Sequence, residues 1–459
     1  MPPAHADIGM LAAELPLVTV LPFVLLLLAI ALCPLATGHW WEKNRNKAIV
    51  AALLSLPVAI YLSAAWGEAG RLVLEEKLLE YVSFIVLLAA LFVISGGIYL
   101  QGSLAGTPLM NTGLLGLGAV LANIAGTTGA SVLLIRPLLR ANRSRRRTAH
   151  IVVFFIFIVA NCGGLLTPLG DPPLFLGFLK GVPFEWTLRL WPQWLAVNLL
   201  LLAVFNVWDQ RVLDQEEQAR RGSQLEQAMR HEPFRVHGAL NLVWLLGIVL
   251  TIYAAGGGMG AGGEPWPFGQ KEALMAGLAV AAYALTPRAN RDNNRFTFGP
   301  IVEVAVLFLG IFVTMAPALV ILNAWGLGQR ELLGAPFALT QPWQVFWATG
   351  GLSSFLDNAP TYLALAATAA GLQGVAAEGR FLHAFLATGP DAARLLAAIA
   401  TGAVFMGANT YIGNGPNFMV KAIAEESGIR MPSFFGYMAY SLAVLIPIFV
   451  AVTFLFFRP

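Results

Sequence analysis

The sequence predicts an all-α polytopic membrane protein made of two halves in inverted topology. Each half is expected to hold five spans and one re-entrant hairpin with a broken helix following it. Three observations carry this. First, 58% of the 459 residues are apolar and only 12% are charged, against about 25% charged in a soluble domain. That is too little charge to coat a water-facing surface of this size. Second, apolar runs recur at about the 20 residues needed to cross hydrocarbon. Third, polar breaks rich in Gly and Pro recur at matching places in the two halves.

Charge and cysteine content narrow the function classes. A net charge of +3 gives no reason to expect nucleic acid. The basic run Arg143-Ser144-Arg145-Arg146-Arg147 lies between apolar segments and reads as a membrane-flanking loop. Cys33 and Cys162 both sit in or beside apolar stretches, which gives neither a disulfide framework nor zinc spacing. The first seven residues lack a basic region, so the first apolar run is read as a retained span rather than a cleaved signal.

Ten spans are expected, at about 15–35, 47–66, 81–103, 150–180, 186–208, 238–257, 271–287, 300–322, 392–425 and 433–457. The stretches 109–140 and 341–371 are too long and too interrupted for single spans. Asn123-Ile124-Ala125-Gly126-Thr127-Thr128-Gly129 breaks the first, and Ser353 to Thr361 breaks the second. Each half-stretch is about 12–15 residues, which fits a hairpin with a polar tip buried in protein.

With hairpins that return to the side they left, the loops at 36–46, 141–149, 209–237 and 288–299 share one face. With Lys47, Arg136, Arg140, Lys421 and Arg430 at span ends on the same side, that face carries 19 of the 28 Lys and Arg. Positive charge marks the cytoplasmic side, so both termini are expected in the periplasm of a bacterial-type inner membrane. The polar stretch 209–237 is expected to hold a short amphipathic cytoplasmic helix and to link the halves. The first repeat is then 1–208 (hairpin 109–140, broken span 150–180). The second is 238–459 (hairpin 341–371, broken span 392–425).

Local sequence agrees with a repeat. Thr167-Pro168-Leu169-Gly170-Asp171-Pro172-Pro173-Leu174-Phe175 aligns with Thr410-Tyr411-Ile412-Gly413-Asn414-Gly415-Pro416-Asn417-Phe418, so that Asp171 faces Asn414. Pro and Gly inside a span free backbone groups that need partners. Inverted-repeat transporters use such groups to bind ions and substrate near the midplane. Two hairpin tips and two broken spans are therefore expected to converge between the halves.

These breaks resemble the ion transporter superfamily, which includes divalent-anion/sodium symporters, citrate transporters, arsenite permeases and NhaD-type sodium/proton antiporters. Asn161-Cys162-Gly163-Gly164 with Thr167-Pro168-Leu169-Gly170-Asp171 looks like that superfamily's signature at its first broken span. Asn161 and Asp171 are ten apart, as Asn and Asp are in the antiporters. Ser353-x-x-x-Asp357-Asn358 looks like an antiporter hairpin element, although it stands here in the second hairpin and not the first. Pro173 and Leu174 replace the two threonines that follow the antiporter Asp. The group of citrate transporters within the superfamily is the other near resemblance. The resemblance implies a homodimer.

The candidate ion- or substrate-binding residues are Asn123, Thr127, Thr128, Asn161, Thr167, Asp171, Ser353, Ser354, Asp357, Asn358, Thr361, Asn409, Thr410, Asn414 and Asn417. Hard cations such as sodium prefer oxygen donors, and a sodium site formed by Asp357, Asn358, Asp171 and Asn123 is the first hypothesis. A buried carboxylate is costly unless paired or protonated. Asp171 and Asp357 are therefore expected to exchange Na+ for H+. Each also fits a helix N-cap. Glu303 reads as an interfacial glutamate, or as a way in for protons.

The six histidines lie in loops or at span ends. No Ser/His/Asp triad, phosphate loop or HExxH appears, so the chain is not expected to be an enzyme. No cofactor is expected beyond Na+ and H+ as transported or coupling ions. No Lys or Arg lies in the four breaks, which favours cation exchange: a sodium/proton antiporter working by alternating access. The alternative is a sodium-coupled citrate or other di- or tricarboxylate symporter. The expected partners are the bilayer, small ions or a small organic anion, and no nucleic acid.

Overall fold

The computed structural model describes residues 11, 14–103, 105–220, 232–331 and 339–458. The protein is an all-α polytopic membrane protein. Among the described residues, eight helical segments are long and apolar enough to cross a bilayer, one of them the bent stretch Pro108–Ala141, and Ala149–Leu165 and Leu240–Gly256 are shorter apolar segments. Leu53, Ile60, Val243 and Leu455 are exposed on these helices, as side chains facing lipid would be.

The long stretch Pro108–Ala141 turns back at Gly126, whose φ of 75° and ψ of 158° are non-helical. Asn111 and Asn142 donate to each other's side-chain oxygens at 3.0 and 2.8 Å. A straight helix would hold them about 46 Å apart, so the segment is a hairpin. In the other interrupted stretch, Pro342–Ser353 leads to the tip and Asn358–Leu372 leads away. The return arm packs along Gly299–Gly326: Asn323 donates to Ala367 O at 2.8 Å, and the backbones of Gly326 and Gly371 nearly touch. Small residues permit that approach.

The first broken span runs Ala149–Ile158, then a single 3-10 turn Cys162–Leu165, then Pro172–Leu179. The second runs Pro390–Met406, a 3-10 turn Gly407–Asn409, then Gly415–Glu426. All of Ile151–Ala160 is buried, including Phe154, Phe155 and Phe157. An all-round apolar helix belongs in a core, and this one threads the centre of the molecule.

One expectation is corrected. The span placed at 81–103 is the helix Gly67–Gly96. It begins earlier because Glu68, Arg71, Glu75, Glu76, Lys77 and Glu80 are good helix formers, and apolarity alone does not mark where a helix starts. It ends earlier because Tyr99–Ser103 pairs antiparallel with Glu232–His237. The stretch 209–237, expected to hold a separate short helix, is described only in part. The helix Trp191–Arg220 continues to Arg220, Glu232–His237 is the paired strand, and 221–231 lie outside the described residues.

Contacts sort the loops. Arg140 donates to Leu100 O at 2.5 Å, Asn290 to Gly97 O at 3.2 Å, and Asn294 to Ile98 O at 2.7 Å. These bring the arginine-rich segments to one end. Lys180 pairs with Glu76 at 2.6 Å and also with Glu80. Glu76 lies 21 residues before Gly97 in the same helix, about 30 Å away, so this second cluster marks the opposite end. Glu303 forms an ion pair with Lys47 at 2.6 Å, as an interfacial glutamate would.

Candidate functional site

Asp171 is the hub. It precedes Pro172 and Pro173 at the start of Pro172–Leu179, in extended backbone with φ −143° and ψ 147°. The side chain is 1% exposed. Thr127 Oγ1 donates to Asp171 Oδ1 at 2.8 Å, and Asn414 Nδ2 donates to the same oxygen at 3.1 Å. Asn358 Nδ2 donates to Asp171 Oδ2 at 2.5 Å. These donors come from the first hairpin, the second broken span and the second hairpin. All four breaks meet at one carboxyl group.

Asn414 ties this hub to a second layer. Its Nδ2 also reaches Asn161 Oδ1 at 3.1 Å and Ala160 O at 3.2 Å. Asn161 Nδ2 donates to Asn417 Oδ1 at 2.7 Å and Ile156 O at 2.8 Å. Asn417 Nδ2 in turn donates to Gly407 O at 2.8 Å and Thr410 O at 2.9 Å. The amides thus satisfy carbonyls that the helix breaks leave open, which a low-dielectric interior requires.

The remaining candidates brace this layer. Asn123 Nδ2 donates to Ala119 O and Gly163 O, its Oδ1 accepts from Leu166 N, and its carbonyl accepts from Thr167 Oγ1 at 2.6 Å. Ser353 donates to Ala403 O at 2.7 Å. Ser354 donates to Gly350 O and Met406 O and accepts from Asn409 Nδ2 at 2.9 Å. Thr410 Oγ1 donates to Ser354 O, and Thr361 Oγ1 to Asp357 O at 2.9 Å. Thr128 lines a small cavity of about 60 Å³ with Asp171, Gly126 and Pro168.

Asp357 does not meet Asp171 through any described hydrogen bond. It is half-buried, and its Oδ1 accepts from Ala359 N at 3.1 Å as the N-cap of Asn358–Leu372. The neighbouring Asn358 makes the contact to Asp171. Asn123 spends its side-chain oxygen on Leu166 N. The four residues expected to hold sodium therefore divide: Asp171 and Asn358 touch, while Asn123 and Asp357 support the two tips.

The two breaks share local geometry. Asn414 has φ −153° and ψ 139° and precedes Gly415 and Pro416, close to the conformation of Asp171. Asp171 and Asn414 are 243 residues apart, and the same spacing separates Thr167 from Thr410, both of which clamp a hairpin-tip carbonyl. Four helical segments begin at this cluster, at Thr127, Pro172, Asn358 and Gly415. Their dipoles favour negative charge, although Thr127 N already donates to Gly170 O and Ala359 N to Asp357 Oδ1.

Two atoms matter for chemistry. Among the described residues, Asn358 Oδ1 and Asn409 Oδ1 are buried and have no hydrogen-bond partner. An orphan oxygen in a native core calls for an explanation. A 180° turn of the Asn358 amide would present its oxygen to a protonated Asp171. Left as it is, that oxygen faces no described donor.

Several supporting residues carry no signal within the breaks themselves. Trp194 Nε1 donates to Gly163 O at 2.7 Å, Asn198 Nδ2 to Cys162 O at 3.2 Å, and Tyr437 OH to Ala408 O at 2.8 Å. Polar groups four apart in the following span, such as Trp194 and Asn198, are the available clue. A broken span leaves carbonyls that a neighbour has to cover.

Residues 12–457 match a family described as Putative citrate transport. No curated protein matches this chain.

Proposed function

The chain belongs to the putative citrate transport family, and from that premise we propose that it is a secondary active transporter whose coupling centre is Asp171. One observation carries the reading. A buried carboxyl group is held by Thr127 from one half of the chain and by Asn358 and Asn414 from the other. Whatever neutralises Asp171 also sets how the two halves fit together. An empty, charged carboxylate at this depth is costly, so the loaded forms dominate: one with a proton, one with sodium. Alternation between them exchanges one ion for the other.

In this reading the halves are inverted repeats that rock about the fixed cluster, as in other transporters with broken helices. The ions are Na+ and H+, and the activity is sodium/proton exchange. Sodium-coupled citrate symport is the second reading. It draws support from the family description and from the four helix N-termini, which suit carboxylate groups.

The test is transport in proteoliposomes with an internal pH dye. An inward sodium gradient alone should alkalinise the interior. Sodium-dependent uptake of labelled citrate without that pH change would establish the second reading instead. Movement of neither ion nor citrate would remove both.

A further inference from the structure

Away from Asp171, at the arginine-rich end, an open cleft of about 1410 Å³ lies between the first hairpin's last turn, the loop after it, and the helix Trp191–Arg220. The loop 427–430 and Tyr440 close its far side. The volume exceeds the roughly 300–1,000 Å³ of ordinary small-molecule pockets. Six arginines line it: Arg143, Arg145, Arg146, Arg147, Arg211 and Arg430; among the described residues no Asp or Glu does. Two acids of the adjoining helix are already engaged. Asp209 pairs with Arg145 at 2.6 Å and with His150 at 2.8 Å, and Glu216 accepts from Arg146 N and Arg147 N. Arg146, Arg211 and Arg430 are exposed.

The wall formed by Trp191–Arg220 changes character along one stripe. Val204, Val207 and Trp208 are apolar, and Arg211 and Gln215 follow at helical spacing on the same face. Val204 and Val207 are 37% and 50% exposed. Trp208 stacks on Tyr440 with ring centroids 5.5 Å apart, and aromatic residues of this kind sit at the membrane–water boundary. A basic rim over an apolar wall, divided by an aromatic pair, fits an amphiphile rather than a free solute. Arg145 Nε, buried in the lining, has no partner among the described residues, while its other nitrogens hold Asp209 and Gly106 O.

We propose that this cleft binds an anionic phospholipid, with its phosphate among Arg146, Arg211 and Arg430 and its acyl chains along Val204, Val207 and Trp208. Basic pockets at membrane depth recognise such headgroups through charge and bidentate hydrogen bonds. The site is independent of the transport reading.

The experiment is native mass spectrometry of the purified full chain, titrated with phosphatidylglycerol or phosphatidylcholine of the same acyl chains. Phosphatidylglycerol should form the tighter adduct by roughly tenfold or more. Arg146→Gln/Arg211→Gln/Arg430→Gln should weaken it by roughly a hundredfold. A control triple on other exposed arginines, Arg71→Gln/Arg288→Gln/Arg458→Gln, should leave it unchanged. Equal binding of the two lipids overturns the proposal, as does equal loss in both triples. Displacement of the lipid by millimolar inorganic phosphate or citrate would make the cleft a soluble-anion site and would also overturn it. So would a second copy of the chain cross-linking through Arg211→Cys in place of lipid.

Discussion

Asn358 donates its amide to Asp171 at 2.5 Å, although 187 positions of sequence separate them. The bond joins the tip of the second hairpin to the break in the first broken span. It is the shortest of the three that hold the carboxyl group, and it leaves Asn358 Oδ1 as a buried oxygen without a partner.

Asp171→Asn keeps the volume and removes the charge and the titration. Thr127 and Asn414 still have an oxygen to donate to, and Asn358 can turn to accept. The fold should therefore lose no more than about 1 kcal/mol. Sodium-driven proton movement should fall to the liposome background. A variant that melts normally and still exchanges at the wild-type rate removes Asp171 as the carrier.

Asn358→Ala deprives Asp171 Oδ2 of its donor and should cost about 1–3 kcal/mol. Asn358→Asp places two carboxyl groups in contact, which cannot both be charged without a cation between them. Its thermal melt should rise with added sodium by more than the wild-type melt does. Equal sodium response in the two proteins would place the cation elsewhere.

Gly126→Ala tests the first tip. The residue has φ 75° and ψ 158°, a region open essentially only to glycine, and an added Cβ would lie 3.2 Å from Leu169 O. A loss of about 1–3 kcal/mol is expected, together with loss of transport because Thr127 moves. Gly113→Ala, in the same arm with nothing within 4 Å of the new methyl, should be neutral or stabilising by up to about 1 kcal/mol. Equal melting of the two variants would contradict the tip geometry.

Asn161 and Asn417 meet at 2.7 Å across the halves. Single alanine variants should each destabilise, and the double variant should cost less than the two together. A coupling of about 0.5–3 kcal/mol is expected for contacting residues. Strict additivity in a melting series would mean that the two amides act independently.

Arg146 and His383 are exposed and lie at opposite ends of the molecule. In a background with Cys33→Ser and Cys162→Ala, Arg146→Cys should resist an impermeant thiol reagent added to intact cells. His383→Cys should react with it. The reverse labelling would invert the proposed orientation, and labelling of both would break the grouping of loops by charge.

The membrane character, the two interrupted stretches and the two broken spans are legible in the chain, because each rests on local chemistry. Apolar length sets a span, and the clustered Gly and Pro around Gly126, Pro168, Pro172, Gly415 and Pro416 mark the interruptions, whereas isolated prolines such as Pro57 and Pro317 stay within their helices. The reading fails at helix ends that water and other segments decide. The helix Gly67–Gly96 extends through a charged turn that no hydropathy argument includes, and Tyr99–Ser103 becomes a strand only because Glu232–His237 lies beside it.

The sequence by itself determined which residues would be polar at the breaks, and so supplied Asp171, Thr127, Asn358, Asn414, Asn161 and Asn417 as a set. Only the tertiary structure decided their roles. Asp357 and Asn358 are adjacent and equally polar in sequence, yet one caps its own helix and the other reaches Asp171. The reason is geometric. Capping is a contact between neighbours in the chain, whereas a bond from one half to the other depends on where two hairpins and two broken spans meet. That placement comes from close packing of glycines and apolar faces hundreds of residues apart.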